Sequence, residues 1–334
     1  MTPGRSLQLP PAAAELLRKT HAILDEHLTP HTPGGEGWRL GGGTVLAAHW
    51  KHRESFDLDI QVHPETERAH LDRKSNPELW RKLYAAGATH IDLEATPTVE
   101  FGTAGRIELV EARPTPRIGH ERAVLDSGEA TLLAPAQILT AKLVHRHLVP
   151  PVRDLYDLAV AQRVDPTATA IAVNALSPYE AGAAAAQWTA GEDAYRTAAR
   201  TELCGVPKPY GGIRDNPARE ARNALRNARY RTLEVGVSED RIVVFVESSN
   251  LVLQLVYDTT AEARTGFEKS GINIALRGLG ISSGRVRNEA NNALERGETC
   301  KVFSHHDDST PGGAQPQGRT SRNRAPERRS GWQR

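Results

Sequence analysis

Apolar residues recur at helical spacing from Ala12 to His27, through Leu16, Leu17, Ile23 and Leu24, and predict an amphipathic helix. A Pro/Gly-rich loop follows from Thr29 to Gly37, then a short strand, Trp38 to Leu40, which runs into Gly41, Gly42 and Gly43. Thr44 to Trp50 reads as a helix starting directly after those glycines. Phe56 to Val62 alternates apolar and polar positions, as a half-buried strand does. Pro77 to Ala86 reads as a helix with Asn76 as N-cap and Pro77 at its first position. Ile91 to Glu94, Thr98 to Phe101 and Arg106 to Glu111 read as strands, and Ala134 to His147 and Val152 to Gln162 as helices on either side of Pro150 and Pro151.

The pattern then changes. Thr167 to Leu203 is alanine-rich and reads as helical; Val206 to Ile213 is a Pro/Gly loop; Pro217 to Tyr230 is a basic helix. Thr232 to Val237, Arg241 to Glu247 and Asn250 to Tyr257 are three strand-like runs separated by turn residues, which predicts a meander. Thr260 to Ser270 and Ser283 to Arg296 read as helices. From Lys301 the chain has little to bury and reads as a disordered tail. The expectation is an α/β domain over residues 1–165 with a mixed sheet and flanking helices, an α+β domain with helices and a strand meander over 166–300, and the tail over 301–334.

Composition narrows the function classes. The formal net charge is +1, so attraction to nucleic acid has to come from local clusters. The two cysteines, Cys204 and Cys300, make no disulfide framework, which favours a reducing cytoplasm. No apolar run approaches the ~20 residues of a membrane span, and Met1 to Pro11 lacks the charged-then-apolar pattern of a signal peptide.

The chemistry is concentrated between Gly42 and Asp59. On a strand, Asp57 and Asp59 point to one face. Two unpaired carboxylates there repel each other and call for cations, and Mg²⁺ takes one or two carboxylates plus phosphate oxygens. Gly42 and Gly43 bring bare amides to a helix start, where phosphate can be held. Glu108, in Arg106-Ile-Glu-Leu-Val110, is the expected third acid, able to bind one metal ion and to take the proton of an incoming hydroxyl. Taken alone, Asp-x-Asp, Gly-Gly-Thr and Glu108 each have a bland reading as a solvated strand or turn. Their order along the chain points to the site. Lys142 and Arg146 share a helix face, equally readable as a solvated basic stripe. Arg153 and Asp157 could form an i,i+4 ion pair, and Asp154 could complement the helix dipole.

Gly42-Gly-Thr-x-Leu46 followed by His52-Arg-Glu-Ser-Phe-Asp-Leu-Asp59 resembles the opening signature of AbiEii/AbiGii-type nucleotidyltransferase toxins, members of the polymerase-beta-like nucleotidyltransferase superfamily. Lys142-Leu-Val-His-Arg146 is similar to that family's Lys-x-x-x-Arg helix, and Arg153-Asp-Leu-Tyr-Asp157 to its Arg-Asp-x-Tyr-Asp element. The resemblance spans residues 38 to 160. It implies that Asp57 and Asp59 bind Mg²⁺, that Gly43 and Thr44 touch the triphosphate, and that Lys142 neutralises phosphate charge. It implies that Asp154 completes the centre by positioning Lys142 or an arginine, that Arg146 joins Lys142 in binding the nucleotide, and that Arg53 and Ser55 contact phosphate or brace the loop. It also implies transfer of NMP from NTP to tRNA by a toxin with a cognate antitoxin. Two rivals are a nucleotidyltransferase modifying a small molecule or a protein hydroxyl, and a degenerate copy that only binds RNA or a partner. Arg219, Arg222, Arg226 and Arg229 recur at spacings that place them on one face of the basic helix, a surface suited to an RNA backbone or to plain solvation.

Overall fold

The computed structural model describes residues 5–28, 37–62, 71, 76–94, 96–111, 120–237, 241–248, 252–258, single positions between 276 and 296, and 301–306. The Thr29 to Gly37 loop, except Gly37, the helix expected at Thr260 to Ser270, most of Ser283 to Arg296, and the tail beyond His306 with its arginines lie outside the described residues.

The chain has a mixed α/β fold. Eight strands form one sheet: β1 (Arg5–Ser6), β2 (Arg39–Gly41), β3 (Leu58–Val62), β4 (His90–Asp92), β5 (Thr98–Glu100), β6 (Arg106–Glu111), β7 (His120–Leu125) and β8 (Gly128–Leu133). They lie in the order β1-β7-β8-β2-β3-β6-β5-β4. The β1/β7, β8/β2 and β3/β6 pairs are parallel and the rest antiparallel. Strands β2, β3 and β6 are therefore neighbours at the middle of the sheet. Alternation of the apolar side chains does the placing: Leu58, Ile60 and Val62 face the core, as do Ile107 and Leu109. The residues between them, Asp59 and Glu108, face the other way and stand opposite each other in register.

Helices α1 (Pro11–Leu28) and α3 (Pro77–Ala85) pack on each other, and α1 also packs on β3. Leu16, Leu17, Leu24 and Leu28 form the buried stripe of α1. Asn76 caps α3, its side chain accepting from the Leu79 amide at 3.2 Å. Helix α2 (Gly42–Trp50) begins two residues earlier than expected and takes Gly42 and Gly43 into its first turn.

The alanine-rich stretch is helical, as expected, and is divided into three helices. After α4 (Pro135–Arg146) and α5 (Val152–Val164) come α6 (Pro166–Val173), α7 (Pro178–Ala190) and α8 (Glu192–Glu202). Asp165 caps α6, Ser177 and Glu180 close a capping box on α7, and Gly191 separates α7 from α8. The Pro/Gly loop at Val206 to Ile213 contains a 3₁₀ turn, Lys208–Tyr210, and leads into α9 (Gly211–Asp215). Helix α10 (Pro217–Ala228) packs on α5, so burial runs across residue 165; Ala218, Ala221, Ala224 and Leu225 share a core with Leu155 and Leu158. Trp188 is fully buried and donates from Nε1 to the carbonyl of His147 at 2.7 Å.

The three expected meander strands are present as β9 (Thr232–Val237), β10 (Arg241–Glu247) and β11 (Val252–Asp258), antiparallel in sequence order. A fourth strand, β12 (Lys301–His306), pairs antiparallel with β9. This corrects the expectation that disorder starts at Lys301: residues 301–306 form a strand that finds its partner, β9, across a long stretch of chain. Among the described residues no helix is long and apolar enough to cross a membrane.

Candidate active site

Strand β2 ends at Gly41 and the chain turns at once into α2, which packs against β3. Gly42 has φ +66, and a Cβ on it would fall 1.5 Å from Asp59 Oδ2. A Cβ on Gly43 would fall 2.3 Å from a guanidinium nitrogen of Arg53. The glycines are thus required by two charged side chains that press against the turn, one from either side. Thr44 is buried; its hydroxyl donates to the carbonyl of Asp57 and lies 2.8 Å from the Ser55 hydroxyl. Thr44 and Ser55 therefore hold the turn to the start of β3, with the Thr44 hydroxyl turned inward.

Asp57 lies one residue before β3, not on it, because the strand begins at Leu58. It still reaches the same cavity as Asp59 and Glu108. That cavity, about 590 Å³, also takes in Gly42, Gly43, Lys142 and Arg146. Burial, the facing charge of Glu108 and the nearby charge of Asp57 push the Asp59 carboxyl above the ordinary carboxylate range, against the pull of Lys142 and Arg146. The guanidinium of Arg106 sits at 2.6 Å from Glu108 and 3.8 Å from Asp57. Among the described residues no three Asp, Glu, His or Cys side chains already converge as a metal-ligand group.

Behind the acids lies a buried ionic cluster. Asp157, on α5, has no exposed side-chain surface and accepts from Arg53 at 2.8 and 3.0 Å, from Lys142 Nζ at 3.0 Å and from His52 Nε2 at 2.8 Å. Asp154, one turn earlier, accepts from Lys142 and, at 3.3 Å, from Arg146. Burial opposes charge on Asp157, but Arg53 and Lys142 outweigh it and hold the carboxyl well below its usual range. Burial likewise lowers the Lys142 ammonium, and the two aspartates outweigh it and raise it. His52 is pushed down by burial against the pull of Asp157. With the ring neutral, its Nε2–H donates. Tyr156 stacks on His52 and donates its hydroxyl to the His52 carbonyl at 2.8 Å.

This arrangement selects among the sequence readings. Arg53 braces: it is buried beneath Gly43 and committed to Asp157 and the Glu54 carbonyl. The carboxylate of Asp157 is taken by Arg53, Lys142 and His52, in place of the local partner Arg153. Arg153 lines the cavity instead. Asp154 stands against both Lys142 and Arg146, and Tyr156 is core with a polar duty. Arg106, beyond its place in the strand, and His52 have roles here that sequence alone did not assign. The spacing of Arg106 and Glu108, two apart on a strand, was the available signal for the first. The second had none, since His52 and its partner are far apart in sequence.

The basic face of α10 is less open than expected. The helix ends at Ala228, and Arg229 has extended backbone beyond it, so the four arginines do not form one helical row. Arg222 is held by Glu192 at 2.5 Å and by Thr189. Arg229 reaches the Leu176 carbonyl at 3.4 Å, while Arg219 and Arg226 are exposed, with Arg219 3.0 Å from Glu220. Compared with models of known families, with curated proteins and with solved structures, the chain matches none.

Proposed function

We propose that this chain is a Mg²⁺-dependent nucleotidyltransferase of the polymerase-beta-like type, moving NMP from NTP to an acceptor hydroxyl and releasing pyrophosphate. The observation that carries the reading is that Gly42, Gly43, Asp57, Asp59, Glu108 and Lys142, from separate parts of the chain, line one cavity. The donor chemistry fits the metal: all three acids are oxygen donors, as Mg²⁺ prefers, and the charge piled onto Asp59 is the kind a divalent ion relieves. Asp57, Asp59 and Glu108 would hold the ions, which would neutralise phosphate charge as the leaving group departs.

The chain's own groups supply the rest. The first turn of α2 presents backbone amides at its positive end, suited to a phosphate oxygen. Lys142 has three N–H donors, two of them engaged by Asp154 and Asp157. The third is available to a phosphate, from an ammonium that the two aspartates fix in place and keep charged. Glu108, at the same cavity, would accept the proton of the attacking hydroxyl. Catalysis of this kind is positioning and electrostatics.

The acceptor is assigned to RNA, tRNA in particular, on the motif resemblance and on the cations Arg106, Arg146 and Arg153 around the same cavity, which suit a polyanion better than a cationic small molecule. Arg219 and Arg226 would add backbone contacts. On this reading the protein works in the cytoplasm as a toxin restrained by an antitoxin. The test is to incubate the purified chain with each labelled NTP, Mg²⁺ and total tRNA. Label should enter RNA in Mg²⁺ and not in EDTA. Label entering with EDTA present, or entering no acceptor with any NTP, counts against the assignment.

A further inference from the structure

Arg106 occupies a place that the proposed reaction needs for something else. It lies two residues before Glu108 on β6, so both side chains stand on the face that also carries Asp59. One guanidinium reaches two of the three acids, Glu108 at 2.6 Å and Asp57 at 3.8 Å. Arg106 is 44% exposed on its side chain, against 15% for Lys142, so it is held by the carboxylates rather than by packing.

A divalent ion needs its oxygens much closer than a guanidinium does. Mg²⁺ binds at about 2.0–2.1 Å in a near-octahedral shell. Two of the acids instead face a planar cation, and among the described residues the three do not converge into a ligand group. Arg106 cannot leave by losing its proton, because arginine stays charged at any working pH. It can leave only by swinging out, which its exposure permits.

We propose that Arg106 is the resident counter-ion of the acid cluster and sets its affinity for divalent metal: the metal binds by displacing the guanidinium from Glu108 and Asp57. This rests on the metal-dependent reading above. The released guanidinium stays beside the cavity, where the phosphates of an arriving NTP give it a new partner. Metal and nucleotide then favour each other's binding, since both are bound best by the state in which Arg106 has left the acids. Alone, the metal binds weakly.

The experiment is a Mn²⁺ titration of the full chain by calorimetry at fixed ionic strength and without nucleotide, comparing wild type, Arg106→Gln, Arg106→Lys and Asp59→Asn. Arg106→Gln should bind Mn²⁺ roughly threefold to tenfold tighter, as expected for removing one positive charge from beside a divalent ion in a wet site. Arg106→Lys keeps the charge and should stay near wild type, and Asp59→Asn should bind weakest. Equal affinity in wild type and Arg106→Gln overturns the proposal, as does weaker binding in Arg106→Gln, which would make the arginine an organiser of the acids. Saturable binding that Asp59→Asn does not weaken, or no binding by wild type and Arg106→Gln alike, removes the metal reading itself and this proposal with it.

Discussion

The guanidinium of Arg53 meets both carboxylate oxygens of Asp157, at 2.8 and 3.0 Å, in a place where neither side chain has appreciable exposure. The pair joins the segment between α2 and β3, which lies against Gly43, to helix α5. Removing one member leaves the other's charge buried, and Lys142 loses a partner at the same time. Asp157→Ala is expected to cost about 3–5 kcal/mol of folding stability. Urea unfolding of the two proteins measures it; a loss below about 1 kcal/mol would show that the cluster relaxes or admits water.

The same cluster predicts how stability follows pH. His52 has a lowered pKa, so the unfolded chain takes up a proton that the folded chain refuses. Its contribution is complete above the ordinary histidine value of about 6.5 and is lost as pH falls through that value toward the folded one. Asp157 is also lowered, and its contribution is lost at still lower pH, below the ordinary aspartate range. Measured in Asp59→Asn, so that Asp59 does not titrate, the unfolding free energy at pH 8, 6 and 4.5 should therefore fall steadily. A profile that is flat between pH 8 and 5 would mean that His52 is charged in the folded state.

Asp59 has the opposite sign. Its folded pKa is raised, first by burial and then by Glu108, so its ionised form works against folding, and the penalty grows as pH rises through the folded value. Asp59→Asn should hold or increase thermal stability at neutral pH while lowering nucleotidyl transfer roughly a hundredfold or more. Lower stability with unchanged turnover would make Asp59 a structural residue.

Two glycines separate local strain from helix propensity. Gly42→Ala forces an L residue into positive φ, costing about 1–2 kcal/mol, and drives a methyl into the Asp59 carboxylate. It should lower both the melting temperature and activity. Gly182, inside α7, has open space where a Cβ would go, and Gly182→Ala should stabilise by about 0.5–1 kcal/mol with activity unchanged. Equal effects of the two would argue against any special demand at Gly42.

Most of the elements that carry the candidate site were legible because their signals are local. Gly42-Gly43, the Asp57/Asp59 spacing and the alternation of β6 each act over a few residues. The hairpin of β7 and β8 was missed. Its apolar positions are broken up by Glu121, Arg122 and Glu129, and the turn at Asp126-Ser127-Gly128, with Gly128 at φ +132, was the readable sign. Asp157 was legible as a motif member but not as a hub, since Arg53 and His52 lie 104 and 105 positions away. Spacing suggested Arg153 as its partner; burial of the whole cluster favoured the more distant and better-oriented guanidinium. The row of arginines failed for a similar reason. Helical spacing finds a common face only while the helix lasts, and α10 stops at Ala228.

Strand β12 fixes how far the chain can be shortened. It covers the outer edge of β9, whose other edge is taken by β10. Cutting after Cys300 would remove the covering strand and leave a row of backbone N–H and C=O groups open along β9, a ready template for a strand from another molecule. Such a chain would tend to self-associate into β-linked oligomers, and any loss of activity would then reflect that assembly rather than a role of the residues beyond the strand. Ending the chain after His306 keeps β9 sealed and makes the contribution of the remaining residues measurable by itself.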